Sequence, residues 1–159
     1  MKRYAGFALI ALGAATVVVY TLRKRRGPED ILRAYFAAWE SGDTRRLDGV
    51  VGDGYVGHIK AISGTDDRDR DALAEQLQAH AETFTESTFE VEDVMRDGDK
   101  VAARVHLEAV HGDNGRDVDM DGLVMVRIDG GRIVEEWASW DYLGLAEQLG
   151  VELSVNPQA

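Results

Sequence analysis

Asp141, His111 and His58 are the residues whose types and placement could carry chemistry in this chain. Asp141 stands where the stretch from Ile133 to Trp140, rich in β-branched and aromatic residues and therefore a strand, has to end. In an apolar cavity, desolvation raises a carboxyl pKa toward neutrality, so such a group can serve as a general acid or base. A neutral histidine can donate or relay a proton. Tyr35, Trp39, Phe84, Trp137 and Trp140 are the aromatic side chains available as cavity walls. Each residue also has a structural reading. Asp141 directly precedes Tyr142-Leu143-Gly144-Leu145-Ala146-Glu147, which suits a helix N-cap. His111 suits a strand end, His58 a hydrogen-bonded strand residue, and His80 a structural place on a helical stripe. Asp66-Asp67-x-Asp69-x-Asp71 and Asp117-x-Asp119-x-Asp121 lack the glycine and terminal glutamate of a calcium loop, so they read as solvated acid, and no metal is expected.

The elements that must position these groups follow from pattern. Pro28-Glu29-Asp30 opens a helix whose apolar stripe is Ile31, Leu32, Tyr35, Phe36 and Trp39, and Ser41-Gly42 stops it. Asp43 caps a short second helix from Thr44 to about Val51, and Tyr55 to Ile59 forms a short strand. Ser63 to Arg68 reads as a polar loop. Asp69 then caps a longer helix ending near Phe84, with Leu73, Leu77, His80, Ala81 and Phe84 facing inward. From Thr88 the period changes to two. Strands are expected over roughly 88–96, 100–111, 117–128 and 132–140, separated by Asp97-Gly98-Asp99, Gly112-Asp113-Asn114-Gly115 and Asp129-Gly130-Gly131.

Helices followed by a strand meander and a terminal helix make an α+β domain in which the sheet curls over the helices. Alternation puts Val101, Ala103, Val105, Leu107, Ala109 and His111 on one face of their strand. On the last strand Ile133, Glu135, Trp137, Ser139 and Asp141 share one parity, and Val134, Glu136, Ala138 and Trp140 the other. The Trp137 and Asp141 face is taken as the inner one, an assignment that a bulge would reverse.

Charge divides the chain of 159 residues. Residues 1–26 hold six Lys/Arg and no acidic residue, leaving 12 basic against 29 acidic side chains in residues 27–159, a formal net of −17. Such a domain repels nucleic acid, and that partner class is rejected. With 17 Asp and four Lys, the balance resembles that of proteins adapted to high salt. The absence of cysteine excludes disulfides and thiolate chemistry. Tyr4 to Leu22 carries no charge, lies between Lys2-Arg3 and Arg23-Lys24-Arg25-Arg26, and is long enough at ~1.5 Å per residue to span a bilayer core as a single helix. The run continues past Gly13-Ala14-Ala15 to a basic cluster, which favours an uncleaved single-pass anchor over a cleaved signal peptide. The heavier basic flank places the following domain in the cytoplasm. The organisation expected is a membrane anchor over 1–26, a domain over 27–151 and a tail over 152–159.

Tyr55-Val56-Gly57-His58, Val110-His111-Gly112, and above all Asp129-Gly130-Gly131-Arg132-Ile133-Val134-Glu135-Glu136-Trp137, then Asp141 and Gln148-Leu149-Gly150, resemble the SnoaL-like polyketide cyclases of the nuclear-transport-factor-2-like superfamily. The resemblance covers about residues 28–151. It implies a cone: a strongly curved mixed sheet wrapped around N-terminal helices, paired sheet to sheet as a homodimer. It further implies that an aspartate near the end of the last strand, matched by Asp141, is general acid/base in an intramolecular aldol closure without metal or cofactor, with His111 and His58 matching pocket histidines. The segment Gly115-Arg116-Asp117-Val118-Asp119 departs from the family's pattern. Three functions follow: a membrane-anchored, cofactor-free cyclase, isomerase or hydrolase of a small hydrophobic molecule, a non-catalytic ligand-binding or dimerising domain held at the membrane, or a structural partner domain for another membrane protein.

Overall fold

A computed structural model of the chain describes residues 27–151 apart from 62 and 63. The expected anchor and tail lie outside the described residues, among which no helix is long and apolar enough to cross a membrane.

Helix α1 is Pro28–Ser41, with Pro28 in its first turn and Gly42 at φ +65° ending it. The Asp30 carboxylate accepts from the Gly27 amide at 3.0 Å, satisfying one of the donors a helix start leaves free. Asp43 does cap the next element, accepting from the Arg45 amide at 3.1 Å, but Thr44–Gly49 is a short 3-10 turn. Strand β1 is Val51–Ala61 and β2 is Gly64–Arg68. Helix α2, Arg70–Thr83, starts on the Asp69 carboxylate, which accepts from the Ala72 amide at 2.9 Å. The meander follows as β3 Phe84–Asp97, β4 Lys100–His111, β5 Asp117–Asp129 and β6 Arg132–Trp140, and α3 is Tyr142–Leu149.

The six strands form one mixed sheet in the order β2-β1-β6-β5-β4-β3, antiparallel except for the parallel pair β1 and β6. Register shifts within β1, within β3 and between β5 and β6 mark bulges, which bend the sheet over the helices. The core lies between them: Leu32 and Tyr35 of α1, Leu47 of the 3-10 turn, Leu73 and Leu77 of α2, Val105 of β4, Val126 of β5 and Ile133 of β6 are each no more than 1 % exposed. This is the α+β curved-sheet architecture that the sequence pattern implies.

Two expectations need correction. Gly64–Arg68 is an edge strand, because its backbone pairs antiparallel with β1 from Gly57↔Arg68 to Ala61↔Gly64; its side chains carry no apolar alternation to announce it. On β6 the inner face is the one carrying Glu136, Ala138 and Trp140. Arg127 pairs with Glu135 and Ile128 with Ile133, so Val134 is the extra residue of a bulge. That bulge lets Ile133 and Glu136 both turn inward, at 0 % and 2 % exposed, and sends Trp137 to the opposite face.

Candidate active site

A cavity of about 350 Å³ lies between the helices and the inner face of the sheet. Its apolar walls come from Phe36 and Trp39 of α1, Phe84 and Phe89 of β3, Trp140 of β6, and Tyr142 and Leu145 of α3. The aromatic rings touch in series. Phe36 stacks on Phe89 at 5.1 Å between centroids, and Trp140 meets both edge-on at 6.3 and 6.1 Å. Trp140 can lie flat across β5 because its neighbour there is Gly122; a Cβ at that position would overlap the indole.

At one end of this apolar space sits a buried charged cluster built from five elements. Glu136 of β6 and Arg68 of β2 pair at 3.1 Å with side chains 3 % and 6 % exposed. Tyr35 of α1 donates its hydroxyl to Glu136 Oε2 at 2.8 Å, and Tyr55 of β1 donates to the same oxygen. Arg68 Nη1 donates to Gln76 Oε1 of α2, Nε donates to the Tyr55 hydroxyl at 3.4 Å, and the guanidinium lies 5.6 Å over the Trp39 ring. Gly57 makes room for this, since a Cβ there would collide with the Tyr55 hydroxyl and the Arg68 side chain.

Burial, and then the negative charge of Glu136, push the Tyr35 hydroxyl well above the usual phenol range, and the same two causes raise Tyr55. Both phenols therefore stay protonated donors. All three hydrogen bonds to the carboxylate converge on Oε2; Oε1 receives none from the described residues, and Glu136 lines the cavity. Further along the wall, His80 of α2 meets Trp39, Phe84 and Phe89 at 5.1 to 5.6 Å, and burial pushes its pKa down to about 4, so the ring is neutral.

The residues singled out from sequence divide. Tyr35, Trp39, Phe84 and Trp140 line this cavity, and Trp137 does not. It belongs to a groove of about 750 Å³ on the outer face, where it stacks on His58 at 5.5 Å beneath Lys100 Nζ at 5.3 Å. His58 is part of that outer face too. Its ring bonds Asp67 at 2.8 Å and Glu135 at 3.2 Å, and these two hydrogen bonds, Asp67's first, raise its pKa. His111 ends β4 edge-on to Phe84 at 5.7 Å with Nδ1 buried and unbonded among the described residues, and it is not among the cavity-lining residues. Asp141 is exposed and caps α3, accepting from the Gly144 amide at 2.9 Å; it does not line the cavity. Sequence reasoning missed Glu136, Arg68, Tyr55 and Gln76. The one available signal was an acidic residue in phase with Ala138 and Trp140 in the middle of an apolar strand.

The SnoaL-like polyketide cyclase family profile matches residues 29–149. Among solved structures, IdmH of Streptomyces antibioticus, a candidate polyketide cyclase, is 29 % identical with a TM-score of 0.70, over 79 % of this chain and all of IdmH. A candidate polyketide cyclase of Bacillus cereus is 23 % identical (TM-score 0.69, 78 % of this chain and 80 % of that one). A Catenulispora acidiphila protein with a ketosteroid isomerase-like fold, solved with trimethylamine, shares the fold at 16 % identity (TM-score 0.70, 83 % of this chain and all of that one). No curated protein matches the chain. With the match running from the first turn of α1 to the last residue of α3, the chain belongs to the SnoaL-like polyketide cyclase family.

Proposed function

We propose that the domain binds a small hydrophobic molecule in the inner cavity and performs cofactor-free acid–base chemistry of the cyclase or isomerase type at the Glu136 end. The observation that carries this reading is the placement of the carboxylate: Oε2 is held by Tyr35, Tyr55 and Arg68, and Oε1 is left for a ligand. Oε1 would take a proton from carbon beside a substrate carbonyl. Arg68, whose five N–H donors exceed its three bonds among the described residues, would steady the enolate oxygen. In a closure the enolate carbon then forms the new C–C bond to a second carbonyl, whose oxygen takes up the proton from Glu136; in an isomerisation the proton returns to a different carbon. Exchange of the α-hydrogens of 2-tetralone, a bicyclic apolar ketone, into D2O tests this, because catalysed exchange needs only the first proton transfer. An Asp141-centred mechanism would require that carboxylate to leave its cap, so Asp141→Asn belongs in the same experiment.

A non-catalytic ligand-binding domain is the second reading. The same open Oε1, on a carboxylate held in place by three donors to Oε2, can accept a hydrogen bond from a ligand hydroxyl without any proton transfer. Absence of exchange with retained 2-tetralone binding would favour it.

We also propose that the outer face pairs two copies into a homodimer. Met95 and Leu123 are 70 % and 66 % exposed beside the Trp137 groove. Lys60, Arg104 and His58 share this face with Asp93, Asp67 and Glu135, so a two-fold copy can set each sign against the other. The uncharged run Tyr4–Leu22 between basic flanks supports an anchor that would hold the domain at the cytoplasmic surface of a membrane, to be tested by carbonate extraction and protease access. The acidic excess supports a salt-rich setting, and equal melting in low and molar salt would contradict that.

A further inference from the structure

His80 has no part in the chemistry proposed above, yet it is the only histidine among the described residues that lines the inner cavity. Its surroundings are apolar: Trp39, Phe84 and Phe89 enclose the ring, and Ala79 and Thr83 flank it on α2. The ring is half-buried, and each of its nitrogens can still take a hydrogen-bond partner. Nε2 has one, the Ser87 hydroxyl at 3.1 Å, and Nδ1 bonds nothing among the described residues. Serine can donate or accept, so the Ser87 contact fixes the ring without fixing its tautomer, and Nδ1 can present either a lone pair or an N–H.

The aromatic chain relates this nitrogen to the charged cluster. His80 contacts Trp39 at 5.6 Å between centroids and Trp39 contacts Tyr35 at 6.3 Å, while the Tyr35 hydroxyl bonds Glu136. One aromatic wall therefore runs between the two polar positions, and both open on the same cavity.

We propose that His80 Nδ1 is a second ligand-binding contact, so that the cavity selects a flat hydrophobic body carrying a polar group at each end, one meeting Glu136 Oε1 and the other His80. This rests on the inner cavity being a small-molecule site. The neutral state of the ring matters for the class of ligand: an uncharged hydroxyl or carbonyl is accepted there, and a carboxylate is not offered a positive partner.

The test compares 2-naphthol with 2,6-dihydroxynaphthalene, which has the same ring body and a hydroxyl at each end, by titration calorimetry on the full-length chain in lipid nanodiscs, with empty nanodiscs as blank. The dihydroxy probe is expected to bind about fivefold tighter, beyond the twofold statistical gain of two equivalent ends, as befits one added neutral hydrogen bond. His80→Phe should remove that gain, read as the ratio of the two probes' affinities, and His80→Gln should keep part of it. In the wild type, the ¹⁵N resonance of His80 Nδ1 should move with the dihydroxy probe and stay with 2-naphthol. A gain that survives His80→Phe, or an unmoved Nδ1 resonance under saturating dihydroxy probe, overturns the proposal. Equal binding of both probes defeats the His80 contact alone; binding of neither defeats the cavity reading and this inference with it.

Discussion

Arg68 and Glu136, 68 residues apart in sequence and on different strands, are bound to one another at 3.1 Å inside the protein. The pair joins the edge strand β2 to β6 across β1, and Tyr35 and Tyr55 complete it from the helix and strand between. Two desolvated charges are tolerable because each has the other and further hydrogen bonds. Removing one should therefore be worse than removing both. Arg68→Met is expected to destabilise the domain by about 3–5 kcal/mol in urea unfolding, because it strands a buried carboxylate, and Arg68→Met with Glu136→Leu should recover much of that loss. A loss below about 1 kcal/mol for Arg68→Met would show that the carboxylate finds water instead.

The fold was legible where periodicity speaks. α1, α2 and the β3 to β6 meander follow from three- and four-residue spacing, alternation and Gly/Asp turns, and the cavity residues on those stripes, Tyr35, Trp39 and Phe84, came with them. β2 was not legible, because Thr65-Asp66-Asp67 has the composition of a loop and is a strand only through its backbone pairing with β1. The inner face of β6 was misread because the Val134 bulge reverses parity, and nothing local in Arg132 to Trp140 declares it. The Glu136 cluster depends on both features at once, so it emerges only in three dimensions.

The depressed His80 pKa gives the domain an acid-sensitive window. The folded-state pKa of about 4 lies below the usual histidine value of about 6.5, so the unfolded chain binds more protons between those limits. Stability contributed by keeping His80 neutral is present above about pH 6.5 and is lost as pH falls toward 4, by roughly 2–3 kcal/mol. His80→Phe should flatten this part of the stability profile, measured by urea unfolding from pH 4 to 7. An unchanged slope would place the proton elsewhere.

Asp141 should behave as a cap. Asp141→Ala is expected to lower stability by about 1 kcal/mol, and Asp141→Asn, which keeps an acceptor for the Gly144 amide, by a few tenths. Hydrogen exchange at α3 amides reads this directly. Equal losses for the two variants would contradict the capping role.

On the outer face, Leu123→Glu with Met95→Glu should convert the proposed dimer to monomer in light scattering and leave the far-UV spectrum and 2-tetralone binding unchanged, since neither side chain touches the inner cavity. A wild-type monomer at tens of micromolar would remove the basis for sheet-to-sheet pairing.

The most direct measurement of the central claim is the rate at which 2-tetralone exchanges its α-hydrogens in D2O, followed by proton NMR with wild type, Glu136→Gln and Asp141→Asn. Glutamine keeps the shape of the side chain and one acceptor oxygen for Tyr35, Tyr55 and Arg68 but cannot accept the proton. Wild type should exceed buffer, Asp141→Asn should match wild type, and Glu136→Gln should fall by 10²-fold or more, as loss of a general base does. Wild-type acceleration that survives Glu136→Gln and vanishes in Asp141→Asn would contradict the account.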